Sequence, residues 1–303
     1  MSPIPATRPR ASAVRSRAEN RTGWGFVAPF AVAFLVAIVA PIAYAIYLSL
    51  YRQDFFGNQT FVGLSNYVRA LSDPSLWGGL GRIVAYIVIQ VPTMMALALV
   101  AALAIDSGRL RGWRFFRLTL FLPYAVPGVV AVIIWGFVYG PRFGLVGSVN
   151  TLLGTTLDPL SPRWIIVAIS IIATWEWAGY NMLVYYSALR TVPTELYEAA
   201  AIDGAGAMRT MFSVKLPALR GAIVITLIFS IIGSVQLFNE PNLLKPIAPN
   251  AITSDFTPTL YAYTLSFAGR QYSYAATVAI VMGIVTAVIA YIVQLRGHRE
   301  AMR

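Results

Sequence analysis

Residues 83–105 read Ile-Val-Ala-Tyr-Ile-Val-Ile-Gln-Val-Pro-Thr-Met-Met-Ala-Leu-Ala-Leu-Val-Ala-Ala-Leu-Ala-Ile, and the nearest charged residues are Arg82 and Asp106. A helix needs about 20 apolar residues to cross the hydrocarbon core of a bilayer. Lipid offers no hydrogen-bond partners, so the backbone of such a segment must satisfy its own N–H and C=O groups, as a helix does. A transmembrane β-barrel would show alternating segments of about 10 residues, and this stretch does not alternate. It therefore predicts a membrane-spanning helix.

Comparable windows lie on both sides of this stretch. The windows at residues 22–51, 118–141, 221–239 and 271–295 contain no charged residue. A further window, residues 164–189, contains only Glu176. The predicted fold class is therefore an all-α membrane protein with six transmembrane helices. The expected spans cover roughly residues 24–50, 81–105, 116–140, 164–189, 220–239 and 272–295.

The composition agrees with a lipid environment. Apolar residues make up 58% of the chain and charged residues 12%, whereas a soluble domain carries about 25% charged residues. The net charge is +11, and most of the 23 Lys and Arg residues fall in the N-terminal tail, in residues 109–117, in residues 190–220 and after residue 295. This asymmetry is the positive-inside pattern and predicts that both termini are cytoplasmic. The position of these charges argues against a nucleic-acid-binding patch.

The predicted domain organisation has three parts. Residues 1–22 are rich in Arg, Ser, Pro and Ala and predict a disordered, basic cytoplasmic tail. Residues 23–296 form the six-span transmembrane domain, and residues 297–303 form a second cytoplasmic tail. The first apolar run is too long for the core of a signal peptide, so we interpret it as an uncleaved span. The chain has no cysteine, which excludes disulfides, thiolate metal sites and cysteine nucleophiles.

The loop between the fourth and fifth predicted spans, residues 190–220, is unusual for a connection. Pro193 suits the first turn of a helix, and Glu198 suits the positive N-terminal end of that helix. Residues 203–206, Asp-Gly-Ala-Gly, are a strong turn signal. A second short helix is expected after the turn, and Pro217 predicts a break before the fifth span. We therefore expect two short cytoplasmic helices joined by a sharp bend.

The same loop carries a family motif. Glu198-Ala199-Ala200, three residues, Gly204, nine residues and then Val214-Lys215-Leu216-Pro217 resemble the "EAA" motif of binding-protein-dependent ABC importers. That motif reads Glu-Ala-Ala, three residues, Gly, nine residues and Ile-x-Leu-Pro, so only Val214 departs from it. Residues 61–67 and Asp73-Pro74 resemble the first outer loop of the sugar-type permeases, the maltose/multiple-sugar permease family. The six-span layout matches that family over nearly the whole chain.

The resemblance implies a coupling mechanism. In that family, the segment around Gly204 docks in a cleft on a separate ATPase subunit, where Glu198 pairs with a basic residue. ATP-driven closure of two ATPase subunits then turns the pore outward. The residues assigned to ATPase coupling on this basis are Glu198, Ala199, Ala200, Asp203, Gly204, Leu216 and Pro217.

The resemblance also implies partners. They are two cytoplasmic ATPase subunits that hold ATP-Mg, a second and non-identical permease subunit, and an extracytoplasmic sugar-binding protein. The location implied is the inner membrane of a prokaryote, crossed several times. The chain itself has no phosphate-binding Gly-x-x-x-x-Gly-Lys-Ser/Thr loop, because its lysines, Lys215 and Lys245, precede Leu and Pro. We therefore predict that it is not an enzyme and that it holds no catalytic, cofactor-binding or metal-binding residue.

Candidate substrate contacts surround Glu176, the charged residue at the centre of the fourth predicted span. A carboxylate at this depth is costly in lipid and should face a water-filled path or a buried partner. Trp175, Tyr180 and Asn181 lie near it in sequence. Carboxylates and amides bond sugar hydroxyls, and aromatic rings stack on sugar C–H surfaces. An equally weighted alternative is a structural polar contact between helices, with Gln90 or Asn181 as the partner of Glu176.

Further candidates lie at the outer end of the fifth predicted span, where Gln236 and Asn239 would line the mouth of the path. For the neighbouring Glu240 an ordinary polar position at the membrane surface is the favoured interpretation. The resemblance favours a di- or oligosaccharide as the substrate. The sequence does not identify which sugar it is.

Two other classes of function fit the sequence less well. A secondary transporter driven by an ion gradient would show internal repeats and ionisable residues in several spans, and this chain has one deep carboxylate and no recognisable repeat. A membrane-embedded enzyme would need a cluster of reactive side chains, which is lacking in the sequence.

Overall fold

The computed structural model describes residues 11–53, 58–108, 110–141 and 144–301. Two strands, Tyr51–Gln53 (β1) and Gln59–Phe61 (β2), pair in an antiparallel hairpin. All other regular structure in these residues is helical. The α-helices are Ala11–Phe34 (α1), Ala40–Ser49 (α2), Ser65–Leu71 (α3), Pro74–Asp106 (α4), Trp113–Phe121 (α5), Gly128–Val138 (α6), Leu145–Leu153 (α7), Ile165–Leu189 (α8), Thr194–Ile202 (α9), Ala207–Thr210 (α10), Leu216–Val235 (α11), Asn239–Leu244 (α12), Pro258–Phe267 (α13) and Tyr272–Ala301 (α14).

Shorter segments connect some of these helices. Leu35–Val39 and Met211–Lys215 are π-helical, and Leu122–Ala125 forms a 3-10 turn. Within the described residues, five helical segments are long and apolar enough to cross a membrane, and they are Gly23–Ser49, Pro74–Asp106, Ile165–Leu189, Ala207–Leu244 and Tyr272–Leu295. The all-α membrane fold predicted from the sequence is therefore confirmed.

The predicted third span is not one straight helix. Trp113–Ala125 and Gly128–Val138 meet at an angle of 100°, and six spans result only if this bent pair counts as one. Pro127 explains the break, since a residue before proline is driven out of the helical region. Val126 accordingly has an extended ψ of 129°. The sequence showed the prolines in this window, but an angle of this size depends on what the two halves pack against.

The predicted N-terminal tail also differs from the structure. Helix α1 begins at Ala11, so residues 11–22 are helical where the sequence predicted disorder. Ala, Arg and Glu are good helix formers, and no Pro or Gly occurs between Ala11 and Thr22. The span can therefore extend its hydrogen-bond ladder backwards through this segment. Residues 1–10 and 302–303 of the two predicted tails lie outside the described residues.

Helices α4 and α8 pack closely at the centre of the bundle. Ala98 and Ala102 of α4 meet Met182 and Tyr185 of α8, and Leu219 of α11 joins the same buried cluster. Apolar burial drives little association between helices in lipid, so small residues and hydrogen bonds matter more. The two alanines allow close approach, and the Tyr185 hydroxyl and Thr226 Oγ1 share a 2.7 Å hydrogen bond.

Asp73 ties three helices together at the opposite end of α4. Its side chain accepts a bond from the Ser75 N–H and thereby caps α4. It also accepts bonds from the Tyr261 and Tyr274 hydroxyls, which come from α13 and α14. Burial alone would raise the pKa of Asp73, but these hydrogen bonds, with help from nearby Arg69, lower it below the usual value. The Asp73-Pro74 pair noted in the sequence thus begins α4, and Asp73 joins α4 to α13 and α14 by hydrogen bonds.

The close contact of α8 with the chain at Leu120 and Phe121 predicts a stability effect at Gly179 of α8. A Cβ at this position would overlap the carbonyl group of Leu120 and the backbone of Phe121 in α5. We expect Gly179→Ala to destabilise the protein by about 1–3 kcal/mol, the usual range for overpacking. The measurement is the thermal unfolding midpoint of the purified protein in detergent.

The matched control is Gly283→Ala in α14. A Cβ at Gly283 meets no atom within 4 Å, and alanine favours a helix more than glycine does. Its midpoint should equal or exceed that of the unchanged protein. Equal midpoints for the two variants would contradict the packing described for α5 and α8.

Candidate functional site

A cavity of about 420 Å³ opens between helices α4, α6, α8 and α11. Its volume falls within the usual range for small-molecule sites, about 300–1,000 Å³. The described residues that line it are Tyr86, Gln90, Met94, Gly128, Val132, Ala173, Glu176, Trp177, Tyr180, Asn181, Val184, Ile225, Thr226, Phe229, Ser230, Gly233, Ser234, Gln236, Leu237, Phe238, Asn239 and Glu240.

Glu176 faces this cavity. It forms no hydrogen bond or ion pair with any described residue, and its Oε1 would lie 3.2 Å from a Cβ placed on Gly128. The structural alternative named Gln90 or Asn181 as its partner. Gln90 instead donates to the Met94 sulfur at 3.3 Å, and Asn181 donates to the Trp177 carbonyl at 3.0 Å. The Glu176 carboxylate is therefore left free to bond a solute.

Aromatic rings form one side of the cavity. Tyr180 lies three positions after Trp177 and four after Glu176, so it neighbours both on the surface of α8, and all three residues line the cavity. Tyr124 stacks on Tyr180 with 4.9 Å between ring centroids and meets Trp177 edge-on at 5.3 Å. Such rings offer flat apolar surfaces beside the carboxylate and amide groups.

Trp175 does not share this face. It is absent from the residues that line the cavity, and its ring packs edge-on against Trp135 of α6 with 5.9 Å between centroids. We expected Trp175 on the path because it adjoins Glu176. Two positions along a helix correspond to a rotation of about 200°, so the side chains of Trp175 and Trp177 point to different sides of α8. Trp177, the tryptophan on the other side of Glu176 in sequence, lines the cavity.

The helix break after α11 supplies polar groups to the cavity. Helix α11 ends at Val235 and α12 begins at Asn239. Gln236 and Asn239 are exposed and line the cavity, and Glu240 lines it as well. The sequence analysis favoured an ordinary surface position for Glu240. Its place in the wall depends on the chain turning back after Gln236, which the sequence does not reveal.

The loop with the family motif forms a compact hairpin of α9 and α10, residues 194–210, which we call the α9–α10 hairpin. Helix α9 ends in a Schellman motif, in which the Ala205 N–H bonds the Ala200 carbonyl and the Gly204 N–H bonds the Ala201 carbonyl. Gly204 has a φ of +69°, a conformation that glycine adopts without steric cost. The glycine of the motif is thus the residue that ends α9 and sets the bend.

The predicted coupling residues fall on two surfaces of this region. Glu198, Ala199, Asp203 and Gly204 are exposed on the hairpin, whereas Ala200, Leu216 and Pro217 are partly buried. The structure therefore leaves most of the first half of the motif exposed, whereas the second half is partly buried.

The expected break at Pro217 is not present. Helix α10, the π-helical segment Met211–Lys215 and α11 follow one another without interruption. The Leu216 N–H bonds the Met211 carbonyl, five residues earlier. This wider turn lets the helix pass Pro217, which lacks an N–H and would disrupt a regular α-helix. As a consequence, the hairpin is helically continuous with α11 and hence with one wall of the cavity.

Comparisons with known proteins agree with this architecture. The chain is 35% identical to the lactose transport system permease protein LacF of Rhizobium radiobacter, with 97% of this chain and 99% of the relative covered. It is 32% identical to the arabinooligosaccharides transport system permease protein AraP of Bacillus subtilis, with 88% of this chain and 85% of the relative covered. Both relatives are transport permeases.

A solved structure shows the same fold. A chain from the crystal structure of a bacterial ABC transporter involved in alginate import matches with a TM-score of 0.83 at 19% identity, covering 95% of this chain and 99% of that chain. A family model, described as the binding-protein-dependent transport system inner membrane component, matches residues 94–296. The chain belongs to this family of inner-membrane components of binding-protein-dependent transport systems.

Proposed function

We propose that this chain is the permease subunit of an ABC importer and forms half of the membrane pathway for a sugar. The observation that carries the proposal is the helical continuity between the α9–α10 hairpin and α11. The hairpin displays the exposed residues Glu198 and Gly204, and α11 lines the cavity with Thr226, Phe229 and Ser230. A force on the hairpin would therefore reach the substrate path directly.

The lining of the cavity supports an uncharged, polyhydroxylated solute. Glu176, Gln236 and Asn239 offer acceptors and donors for hydroxyl groups, and Trp177 and Tyr180 offer stacking surfaces. No Lys or Arg is among the described lining residues, so an acidic sugar would meet carboxylates without a cationic partner. The names of the two relatives include lactose and arabinooligosaccharides. A neutral di- or oligosaccharide is the substrate class that fits both observations.

The partners follow from the hairpin and from the family. We infer two cytoplasmic ATPase subunits that hold ATP-Mg, a non-identical second permease that completes the pathway, and an external sugar-binding protein. Leu196, Ile202, Met208 and Phe212 are exposed apolar residues on and next to the hairpin. Together with the Glu198 carboxylate, they offer an ATPase subunit an apolar surface with one anionic contact. This assignment places the hairpin and both termini in the cytoplasm.

The function is tested by sugar uptake into proteoliposomes that contain the complete importer. We expect uptake of radiolabelled lactose or of a radiolabelled arabinooligosaccharide to require ATP and the ATPase subunits. A secondary transporter, the runner-up from the sequence, would continue uptake without ATPase subunits and would follow a proton or sodium gradient. That outcome would overturn the proposal.

The first residue-level prediction concerns Gly204. Gly204→Val should weaken binding of the ATPase subunits at least tenfold, because a β-branched residue is strained at a φ of +69° and the end of α9 would change. Glu198→Ala should act in the same direction by removing the anionic contact. The measurement is co-purification of the ATPase subunits with the permease from membranes.

The matched control is Gly206→Val, two residues later. Gly206 has a φ of −68° and open space around it, so any residue can adopt its conformation. ATPase binding should persist in this variant. Normal binding by Gly204→Val and Glu198→Ala together would refute the role assigned to the hairpin.

The second prediction concerns Glu176. Glu176→Leu should reduce uptake by about tenfold or more, since a hydrogen bond to a charged group contributes roughly 1.5–3 kcal/mol. Glu176→Gln should retain more activity because it still bonds a hydroxyl group. Initial uptake rates at saturating ATP give the comparison, with membrane levels of each variant measured alongside. Equal uptake by the Leu variant and the unchanged protein would show that Glu176 makes no contact with the solute.

A further inference from the structure

We propose that Asp106 and Lys215 are positioning residues that join the α9–α10 hairpin to α4, so that the hairpin moves two walls of the cavity together. The inference rests on the proposed importer function and adds to it a second mechanical connection. Helical continuity links the hairpin to α11 alone. The ion pair extends that link across the bundle to α4.

The pair is well placed for this role. Asp106 is the last residue of α4, and Lys215 is the last residue of the π-helical segment that precedes α11. Lys215 Nζ lies 2.5 Å from Asp106 Oδ2, and the two side chains are only 17% and 11% exposed. It is the one ion pair found between the described residues. Because a partly buried pair contributes little net stability, its geometry matters more here than its free energy.

Tyr197 connects the pair to the hairpin. Its ring centroid lies 5.6 Å from Lys215 Nζ, within the range of a cation–π contact. The Tyr197 hydroxyl is buried and has no hydrogen-bond partner among the described residues. Burial raises the pKa of Tyr197 above its usual value, and the nearby Asp106 carboxylate adds to the rise. Arg190 offsets only part of this shift. Tyr197 precedes the exposed Glu198 in α9, so one helix presents Glu198 outward and Tyr197 to the ion pair.

The π-helical segment explains why a second connection is needed. π-helical turns are rare and often occur at functional sites. Met211–Lys215 departs from regular α-helix between the hairpin and α11. The ion pair joins the last residue of that segment to α4, whose residues Tyr86, Gln90 and Met94 line the cavity.

A charge-reversal experiment on the complete importer in proteoliposomes tests the inference. The variants are Asp106→Asn, Lys215→Met and the reversed pair Asp106→Lys with Lys215→Asp. Lactose uptake and ATP hydrolysis are measured in the same vesicles. We expect each single variant to bind the ATPase subunits and to hydrolyse ATP, while the amount of sugar taken up per ATP falls at least fivefold. The reversed pair should recover at least half of the original ratio.

Two controls separate positioning from general stability. Lys245→Met removes the other lysine, which lies outside the ion pair and the cavity wall, and it should leave the ratio unchanged. Lys215→Arg keeps the charge and should also keep the ratio. For Tyr197, Phe should preserve coupling because it keeps the ring, whereas Ala should lower it.

The outcomes are distinct. An unchanged ratio in both single variants would overturn the inference, and so would a reversed pair that is no better than the single variants. If the single variants fail to assemble, recovery of assembly and uptake by the reversed pair supports the pair, and failure to recover overturns it. ATP-independent uptake by the unchanged complex would instead contradict the proposed function.

Discussion

The structure depends on one constraint, which is that every backbone N–H and C=O group in the hydrocarbon core needs a partner within the protein. Long helices meet this requirement by themselves, and α8 and α14 do so without interruption. Irregular backbone at membrane depth is tolerated where protein surrounds it or where it lines a water-filled cavity. The break between α11 and α12 fits this rule, since Gln236, Leu237 and Phe238 all line the cavity. The bend before α6 fits as well, because Gly128 lies in the same wall.

The same constraint changes what holds the helices together. Apolar surface gains little by leaving lipid for protein, so association depends on close contact and on a few polar bonds. Gly179 brings α8 against the backbone of α5, and the Tyr185–Thr226 hydrogen bond joins α8 to α11. At its two ends, α4 is joined to other helices through charged groups. Asp73 serves one end of α4, and the Asp106–Lys215 pair serves the other.

Most of the architecture was predictable because the constraint acts on composition. The fourth span was expected at 164–189 and is found at Ile165–Leu189, since nothing in that window competes with a helix. The hairpin turn was predictable because Gly204 is the residue type that a left-handed backbone requires. Features that involve two or more elements were not predictable. The 100° bend, the position of Trp175 against Trp135 and the place of Glu240 in the cavity wall each depend on distant packing partners.

Pro217 does not interrupt its helix, although proline usually does, and this has a consequence for function. Proline normally ends or kinks a helix because it lacks an N–H and crowds the preceding turn. Here the π-helical turn before it shifts the hydrogen-bond pattern, and the helix continues from the hairpin into α11. A true break at Pro217 would have let the hairpin swing freely without displacing the cavity wall. The π-helical turn thus keeps the hairpin and α11 in one continuous helix, and the ion pair at Lys215 joins that turn to α4.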